Sequence, residues 1–246
     1  MNLLRPFAVA LTFLTRTPIR LHGVQEADLG RSIAWFPAVG LALGFVLAVA
    51  ERLGRGHLSQ ELISVGLVAL LVALTGGLHL DGLADVFDGL AGSRGDRERM
   101  LAIMRDSRIG ALGGAAILLA LLGKVFAMLE LQRATTASHL VMFPVAARWA
   151  VAPLVIFFAY ARSEGLGKAF NAHGRLAHFA VATLITVGVA ALAGPRAVAP
   201  TAAALVTALG VAVWLQHRLG GLTGDVYGAA IELSELMFLV VATLGR

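Results

Sequence analysis

The sequence predicts an all-α protein: a polytopic integral membrane helical bundle of six to seven transmembrane helices, with a short interfacial helix at the N-terminus. Two observations carry this prediction. The 246 residues are 58% hydrophobic and 14% charged, with a mean hydropathy of +0.82, whereas soluble domains carry about 25% charged residues. The apolar residues also fall into segments close to the length that crosses a bilayer, about 20 residues. We treat residues 1–246 as a single transmembrane domain.

Seven segments of the chain are apolar enough to span a membrane. They are residues 33–50, 62–80, 110–131, 139–160, 177–194, 198–217 and 228–245. The segment 5–15 is too short to span, so we expect it to lie at the interface as a helix. Six spans with one re-entrant segment fit the sequence almost as well.

The basic residues predict which side of the membrane each loop faces. If the N-terminus is cytoplasmic, 13 of the 20 Lys and Arg residues face the cytoplasm, five face outside and two lie within spans. Cytoplasmic loops of membrane proteins show this bias. Because the basic residues follow topology and form no single patch, they do not indicate nucleic-acid binding. The chain has no cysteine, which excludes disulfides and thiolate nucleophiles.

Three aspartates, Asp81, Asp85 and Asp88, follow the second apolar segment. Their i, i+4, i+7 spacing places the carboxylates on one face of a helix, within an arc of roughly 60°. An ionised carboxylate at membrane depth costs several kcal/mol unless it is compensated, and like charges so close repel each other. An oxygen-seeking cation such as Mg²⁺ relieves both costs, so the pattern predicts a metal site.

The aspartates open a polar stretch, residues 81–109, that we predict to be a cytoplasmic loop. Arg105 and Arg108 are candidates for binding phosphate oxygens, because a guanidinium group can do so in bidentate fashion. Asp106 lies between them as a further ligand, a base or the partner in an ion pair. His79 precedes the aspartates and points roughly opposite to them on a continuous helix, either as a structural or as a substrate-binding residue.

Further charged residues lie within or beside the later apolar segments. Asp225 follows a glycine-rich turn on the predicted cytoplasmic side. Glu232 and Glu235 lie just inside an apolar segment, where acidic residues usually have a function. Arg148 lies inside a span and needs an anionic partner, either a carboxylate or a ligand phosphate. Lys124 also lies inside a span and is expected to form an ion pair, with Glu130 as the candidate partner, whereas the other four are candidates for substrate binding.

Five motifs are together typical of one family. They are residues 76–89 (GGLHLDGLADVFDG), 104–110 (MRDSRIG), 13–18 (FLTRTP), 36–37 (FP) and 220–225 (GGLTGD). With them the chain resembles the cobalamin synthase family, also called adenosylcobinamide-GDP ribazoletransferases, from about residue 5 to 245. The first motif is highly specific and the second supports it. Val86 and Phe87 stand where the family commonly has smaller or polar residues, but all the carboxylates are present.

The resemblance implies a reaction, a cofactor and partners. Adenosylcobinamide-GDP and α-ribazole, or its 5′-phosphate, would give adenosylcobalamin, or its 5′-phosphate, plus GMP. The family is Mg²⁺-dependent, resides in the bacterial cytoplasmic (inner) membrane and acts late in nucleotide-loop assembly of vitamin B12. The active site would face the cytoplasm. The lipid bilayer is then a partner, and a homo-oligomer is left open.

The family chemistry suggests roles for the charged residues. Asp81, Asp85 and Asp88 would hold one or two Mg²⁺ ions, and the arginines of the 104–110 motif would neutralise phosphate charge. Asp106 or one of the three aspartates would accept the proton of the attacking hydroxyl. Phosphoryl transfer of this kind depends on positioning and charge neutralisation more than on covalent catalysis.

Two other functions fit part of the pattern. Asp85, Asp88 and Gly89, with the later Asp106, resemble CDP-alcohol phosphotransferases, which displace CMP with an alcohol. The match is partial, because residues 91–94 depart from that family's spacing. The non-enzymatic alternative is a transporter in which intramembrane acids carry protons or cations. Against it, the aspartates gather at one face of the membrane rather than at its midplane.

Overall fold

The structure, a computed structural model, describes residues 4–133 and 137–244. Within these ranges the chain forms twelve α-helices and no strand, which confirms the predicted all-α class. The helices are α1 Leu4–Leu14, α2 Glu26–Ser32, α3 Phe36–Gly54, α4 Gln60–Thr75, α5 Leu78–Ser93, α6 Arg97–Ile103, α7 Ala111–Arg133, α8 Ala137–Phe157, α9 Leu166–His173, α10 Leu176–Ala193, α11 Val198–Leu219 and α12 Gly224–Leu244.

Six helical segments in the described part of the chain are long and apolar enough to cross a membrane. They are Glu26–Gly54, Ala111–Gln132, Ser138–Phe157, Leu176–Ala193, Pro195–Leu219 and Gly224–Leu244. The first is a continuous helical segment made of α2, a short 3-10 turn and α3. The chain is therefore a polytopic integral membrane protein, as its composition predicts.

Helix α4 is the candidate for a seventh crossing: it has only 16 residues, or about 24 Å, and reaches the length and apolarity of a span only together with α5. Near its start, Gln132 Nε2 at the end of α7 donates a hydrogen bond to Ser64 Oγ at 2.6 Å. At its end, the Arg16 amide, just after α1, donates to the Leu74 carbonyl oxygen at 2.8 Å. Because α7 and α1 end at opposite ends of the bundle, α4 runs from one end to the other.

The chain bends by 90° between α4 and α5. Gly76 and Gly77 both have left-handed backbone conformations there, with φ of 65° and 71°, which favour glycine. A Cβ at Gly76 would also overlap the side chain of Arg16. Helix α5 therefore lies across one end of the bundle, outside the spanning helices. We call this end, where α1 ends and α12 begins, the site end; the other is the opposite end.

The bend corrects two predicted boundaries. The predicted span 62–80 ends at Thr75, because two left-handed glycines interrupt the helix. Residues 81–109, predicted as a loop, are largely helical and contain α5 and α6. The last predicted span begins earlier than residue 228, at Gly224, and its final residue, 245, lies outside the described residues. Helix α1 is too short to cross and is partly buried through Val9, Ala10 and Leu14.

The core of the bundle lies where α8 meets α3 and α12. The most apolar stretch of α8 is 78% buried and that of α12 67%, whereas that of α10 is 11% buried, as expected of a helix that faces lipid. Helices α3 and α8 touch through glycines: a Cβ at Gly40 would lie 2.5 Å from the Pro144 carbonyl oxygen, and one at Gly44 2.7 Å from Val141 Cα. Small residues let membrane helices approach this closely.

Candidate active site

The site is positioned by a close crossing of α5 over the start of α12. A Cβ at Gly82 would lie 2.7 Å from the Asp225 carbonyl oxygen, and one at Gly228 would lie 3.3 Å from His79 Cα. Only glycine allows the two backbones to approach so closely. The crossing brings Asp81 and Asp85, on α5, beside Asp225, in the first turn of α12.

Asp81 and Asp85 have no hydrogen bond or ion pair with their side chains among the residues that the structure describes. Burial, followed by the neighbouring carboxylates of Asp225 and Asp81, raises the pKa of Asp85 to about 7, and Arg162 opposes the shift. A pKa this high reflects the cost of burying a carboxylate and placing it beside other carboxylates, and a bound cation would offset both costs. The pair therefore has the chemistry of a site for a cation.

Arg162 is the cation that the structure places at this point. Its Nη2 donates a hydrogen bond to Asp225 Oδ2 at 2.5 Å, and its Nε is buried without a partner in the described ranges. The segment that carries it is pinned by two backbone hydrogen bonds, from Ala161 to Leu222 at 2.8 Å and from Leu222 to Ala159 at 2.7 Å. Arg162 is thus held beside the carboxylates, with its Nε free to donate a hydrogen bond.

Sequence reasoning did not identify Arg162 as a site residue, because it was one of many basic residues in predicted cytoplasmic loops. A short apolar segment before it and the glycine-rich turn at 220–224 were the only available signals. Neither indicates that the two segments pair side by side. The pairing is a parallel bridge between Tyr160 and Leu222, which are far apart along the chain.

Asp88 shares the helical face of Asp81 and Asp85, as its spacing predicts, but its carboxylate is bound to backbone amides. Its two oxygens accept hydrogen bonds from the Gly110 amide at 2.6 Å and the Gly113 amide at 2.8 Å. These amides belong to the start of α7, where backbone N–H groups lack partners within the helix. Asp88 therefore joins α5 to α7 and sets the position of the other two aspartates.

Substituting alanine for Gly113 is expected to disturb this joint. The new Cβ would overlap the Asp88 carboxylate and lie 2.9 Å from the Ala84 carbonyl oxygen, so we expect a loss of about 1–3 kcal/mol in unfolding free energy. Gly114→Ala is the matched control, since nothing lies within 4 Å of its Cβ and alanine favours a helix by up to about 1 kcal/mol. Thermal unfolding in detergent measures both. Equal stability of the two variants would contradict the assigned role of Asp88.

Asp106 and Arg108 form an exposed ion pair with each other. Arg108 Nη2 lies 2.6 Å from Asp106 Oδ2, and the Arg108 side chain is 87% exposed. Hydrogen bonds from Arg108 lower the pKa of Asp106. Both residues border a shallow surface depression with Asp88. Of the alternatives predicted for Asp106, the structure shows the ion pair. Arg105, also exposed, lies within electrostatic reach of Tyr160.

The charged residues that the sequence places inside the spanning helices pair with one another in the interior of the bundle. Lys124 Nζ lies 2.5 Å from Glu232 Oε2 and is also paired with Glu235, which in turn pairs with Arg148. All four side chains are buried. Arg148 thus has a carboxylate partner, one of the two that its position predicts. This buried ion cluster joins α7, α8 and α12.

A cavity of about 260 Å³ opens at the site end. Asp81, Asp225 and Arg162 contribute to its polar part, and His79 and Tyr227 line it among apolar side chains. His79 is 3% exposed, and neither ring nitrogen has a partner among the described residues. His79 and Asp81 therefore border one cavity, although they lie on different faces of α5.

The described residues contain no group of three or more His, Cys, Asp or Glu side chains that could hold a metal ion. Mg²⁺ seldom needs such a group, because it usually binds one or two carboxylates together with substrate phosphates and water. Asp81 and Asp85 match this pattern, because neither carboxylate has a partner among the described residues and Asp81 lies close enough to help raise the pKa of Asp85, after burial and Asp225. The pair fits a Mg²⁺ ion that arrives with a phosphorylated substrate.

Comparison with known proteins agrees with the motifs. A family model described as "Cobalamin-5-phosphate synthase" matches residues 6–243. A protein of Geotalea daltonii named "Adenosylcobinamide-GDP ribazoletransferase" is 42% identical, over 99% of this chain and 100% of its own length. Proteins with the same name from Ectopseudomonas mendocina and Escherichia coli are 40% and 37% identical, over 96% and 95% of this chain and 97% of their own lengths. No solved structure matches. The chain belongs to the cobalamin-5-phosphate synthase family.

Proposed function

We propose that this chain is an adenosylcobinamide-GDP ribazoletransferase, which joins adenosylcobinamide-GDP to α-ribazole or its 5′-phosphate and releases GMP. Its relatives carry that name over nearly their full length. The observation that carries the proposal is the meeting of Asp81, Asp85 and Asp225 with Arg162 at one end of a membrane bundle. Carboxylates beside a guanidinium group suit a reaction that handles a diphosphate.

In the proposed reaction a ribazole hydroxyl attacks the cobinamide-side phosphorus of the diphosphate. A new P–O bond forms between the hydroxyl oxygen and this phosphorus. The bond from this phosphorus to the oxygen that bridges the diphosphate breaks, and GMP leaves with the bridging oxygen. Arg162 has a free Nε to neutralise charge on the transferred group. Fixed positive charge at such a position stabilises the transition state more than the ground state.

The hydroxyl proton needs an acceptor close to the cavity, and we assign this role to Asp225. Its Oδ2 accepts hydrogen bonds from Arg162 and from Thr223, whereas Oδ1 has no partner among the described residues. Asp225 also borders the cavity. Asp106 suits the role less well, because Arg108 holds its pKa low and an efficient base has a pKa near the working pH.

Asp81 and Asp85 would hold Mg²⁺ together with oxygens of the substrate diphosphate. The ion would supply positive charge that neutralises the diphosphate and the departing GMP. Asp88 would act through its amide contacts, by fixing α5 against α7. These assignments divide the three aspartates into two ligands and one positioning residue.

The experiment that tests the function is product analysis. Purified, detergent-solubilised protein is given adenosylcobinamide-GDP with α-ribazole, and separately a CDP-alcohol with an alcohol acceptor. We expect a cobalamin and GMP, identified by mass spectrometry, from the first pair and no CMP from the second. CMP formation would support a CDP-alcohol phosphotransferase instead. Uptake of labelled cobinamide into sealed vesicles without GMP formation would support a transporter.

We further propose that the protein resides in the bacterial inner membrane with the site end in the cytoplasm. Basic residues are concentrated at the site end, as the positive-inside rule expects. Those between α5 and α7 are Arg94, Arg97, Arg99, Arg105 and Arg108. The opposite end carries fewer, among them Arg52, Arg55 and Arg196.

This orientation predicts a labelling result. The chain has no cysteine, so a single introduced cysteine reports one position. In intact spheroplasts, a membrane-impermeant maleimide is expected to label His57→Cys, at the opposite end, and to leave Glu98→Cys, at the site end, unlabelled until the membrane is opened. Both parent residues are exposed in the structure. Labelling of Glu98→Cys alone would reverse the orientation.

A further inference from the structure

The cavity at the site end has apolar walls that the reaction at its polar part does not require. Phe13, Phe36 and Phe170 form one wall, with ring centroids 4.5 Å apart for Phe13 and Phe170 and 5.9 Å for Phe36 and Phe170. Val151 and Ile231 contribute from α8 and α12. These rings come from three separate helices, so the fold assembles an aromatic chamber beside the aspartates. Such a chamber favours a flat, apolar occupant.

Two polar side chains face this apolar chamber without partners. Tyr227 is 8% exposed and His79 3% exposed, and both line the cavity. Within the described ranges, Tyr227 Oη and the two ring nitrogens of His79 make no hydrogen bond. Buried polar groups are nearly always hydrogen-bonded, because an unpaired one costs about 1–3 kcal/mol. A ligand that supplies one or two hydrogen-bonding atoms would satisfy them.

We infer that this cavity binds the base of α-ribazole, with its ribose directed toward Asp81 and Asp225. The identity of the acceptor rests on the proposed function. A dimethylated benzimidazole attached to ribose is flat and apolar and keeps one free ring nitrogen, which Tyr227 or His79 can meet. The ribose hydroxyl then lies on the side of the cavity that carries Asp225 and Arg162.

The other parts of the substrates fit this chamber less well. Guanine presents donors and acceptors around most of its edge, and the apolar walls would leave most of them unpaired, at a cost for each. The corrin ring is excluded by size: a cavity of about 260 Å³ is smaller than the roughly 300–1,000 Å³ pockets of whole drug-sized ligands, so it suits a two-ring base and not a macrocycle. The corrin and the guanosine would therefore remain outside, around the aspartates and the exposed arginines.

Equilibrium dialysis of radiolabelled α-ribazole against the purified full-length protein in detergent tests the inference without turnover. We expect Tyr227→Phe, which removes only the hydroxyl, to raise the Kd about three- to tenfold. The riboside of benzimidazole, which lacks both methyl groups, should bind about tenfold more weakly than α-ribazole. Excess GMP should not displace the label.

A pair of histidine variants provides the structural control. His79→Leu should weaken binding of α-ribazole. His139→Leu should not, because His139 is equally buried, also has an unpaired Nδ1, and lies at the start of α8 outside the cavity. Thermal unfolding in detergent shows whether each variant is folded. If His79→Leu does not fold, the Kd of Tyr227→Phe alone tests the cavity assignment.

Three results would overturn the inference: no binding by the unaltered protein, an unchanged Kd for both Tyr227→Phe and the demethylated riboside, or displacement by GMP. They are distinct from failure of the proposed function. Binding with the expected Tyr227 dependence but no GMP formation would contradict the reaction and leave the cavity assignment standing. GMP formation together with a Kd that does not change in Tyr227→Phe would support the reaction and contradict the cavity assignment.

Discussion

Asp85→Asn is expected to lower the rate of GMP release about 10²–10³-fold, the scale on which loss of one preorganised charged group acts in an active site. The amide keeps the size of the side chain and removes its charge. Asp85 lies among Asp81, Asp225 and Arg162, and burial together with the two neighbouring carboxylates raises its pKa to about 7. Steady-state rates of GMP release with adenosylcobinamide-GDP, at several Mg²⁺ concentrations, measure the effect.

Glu98→Gln is the matched control, because it removes one carboxylate charge from an exposed position in the first turn of α6, on the same end of the bundle. We expect its rate to stay within about twofold of the unaltered protein, since exposed charges are screened by water and salt. Full activity of a folded Asp85→Asn variant, or equal losses in both variants, would remove Asp85 from the site.

Lys124→Met is expected to destabilise the fold by about 3–5 kcal/mol, the usual cost of breaking a buried ion pair from one side. Lys124 is paired with both Glu232 and Glu235. Glu235 keeps Arg148 when Lys124 is lost, but Glu232 is left as a buried carboxylate without an ion-pair partner among the described residues. The midpoint of unfolding in detergent, followed by circular dichroism, measures the loss.

The double variant Lys124→Met, Glu232→Gln separates charge from packing. It removes one positive and one negative charge and leaves the pair of Arg148 with Glu235 in place. We expect it to recover most of the stability that the single variant loses, so that the two changes are strongly non-additive. Additive losses would show that Lys124 contributes through its hydrocarbon chain rather than through its charge.

The parts of the fold that were predictable from sequence are those that composition and local spacing determine. Apolar length identified the six helical segments of the described residues that are long enough to span, and the shorter α4 as well. The need of Arg148 for an anion followed from the cost of an unpaired charge in a membrane. The right-angled bend did not follow, because it depends on Gly76 and Gly77 both taking left-handed conformations, which a pair of glycines allows but does not require.

The candidate site was predictable only where neighbours in sequence are neighbours in space. The spacing of Asp81, Asp85 and Asp88 correctly placed them on one face of a helix. Asp88 accepts hydrogen bonds from amides that lie 22 and 25 residues later in the chain, at the start of α7. This contact depends on how α5 and α7 pack against each other. The position of Arg162 depends on an even longer-range contact with Asp225. No local pattern carries such information.

The most direct test of the central claim is GMP release by the purified protein from adenosylcobinamide-GDP and α-ribazole, first with Mg²⁺ and then with excess EDTA. The account predicts GMP and a cobalamin product in equal amounts with Mg²⁺, loss of both with EDTA, and recovery when Mg²⁺ is restored. The same rate in EDTA would contradict a Mg²⁺ site at Asp81 and Asp85. No GMP from a well-folded sample under any of these conditions would contradict the ribazoletransferase function.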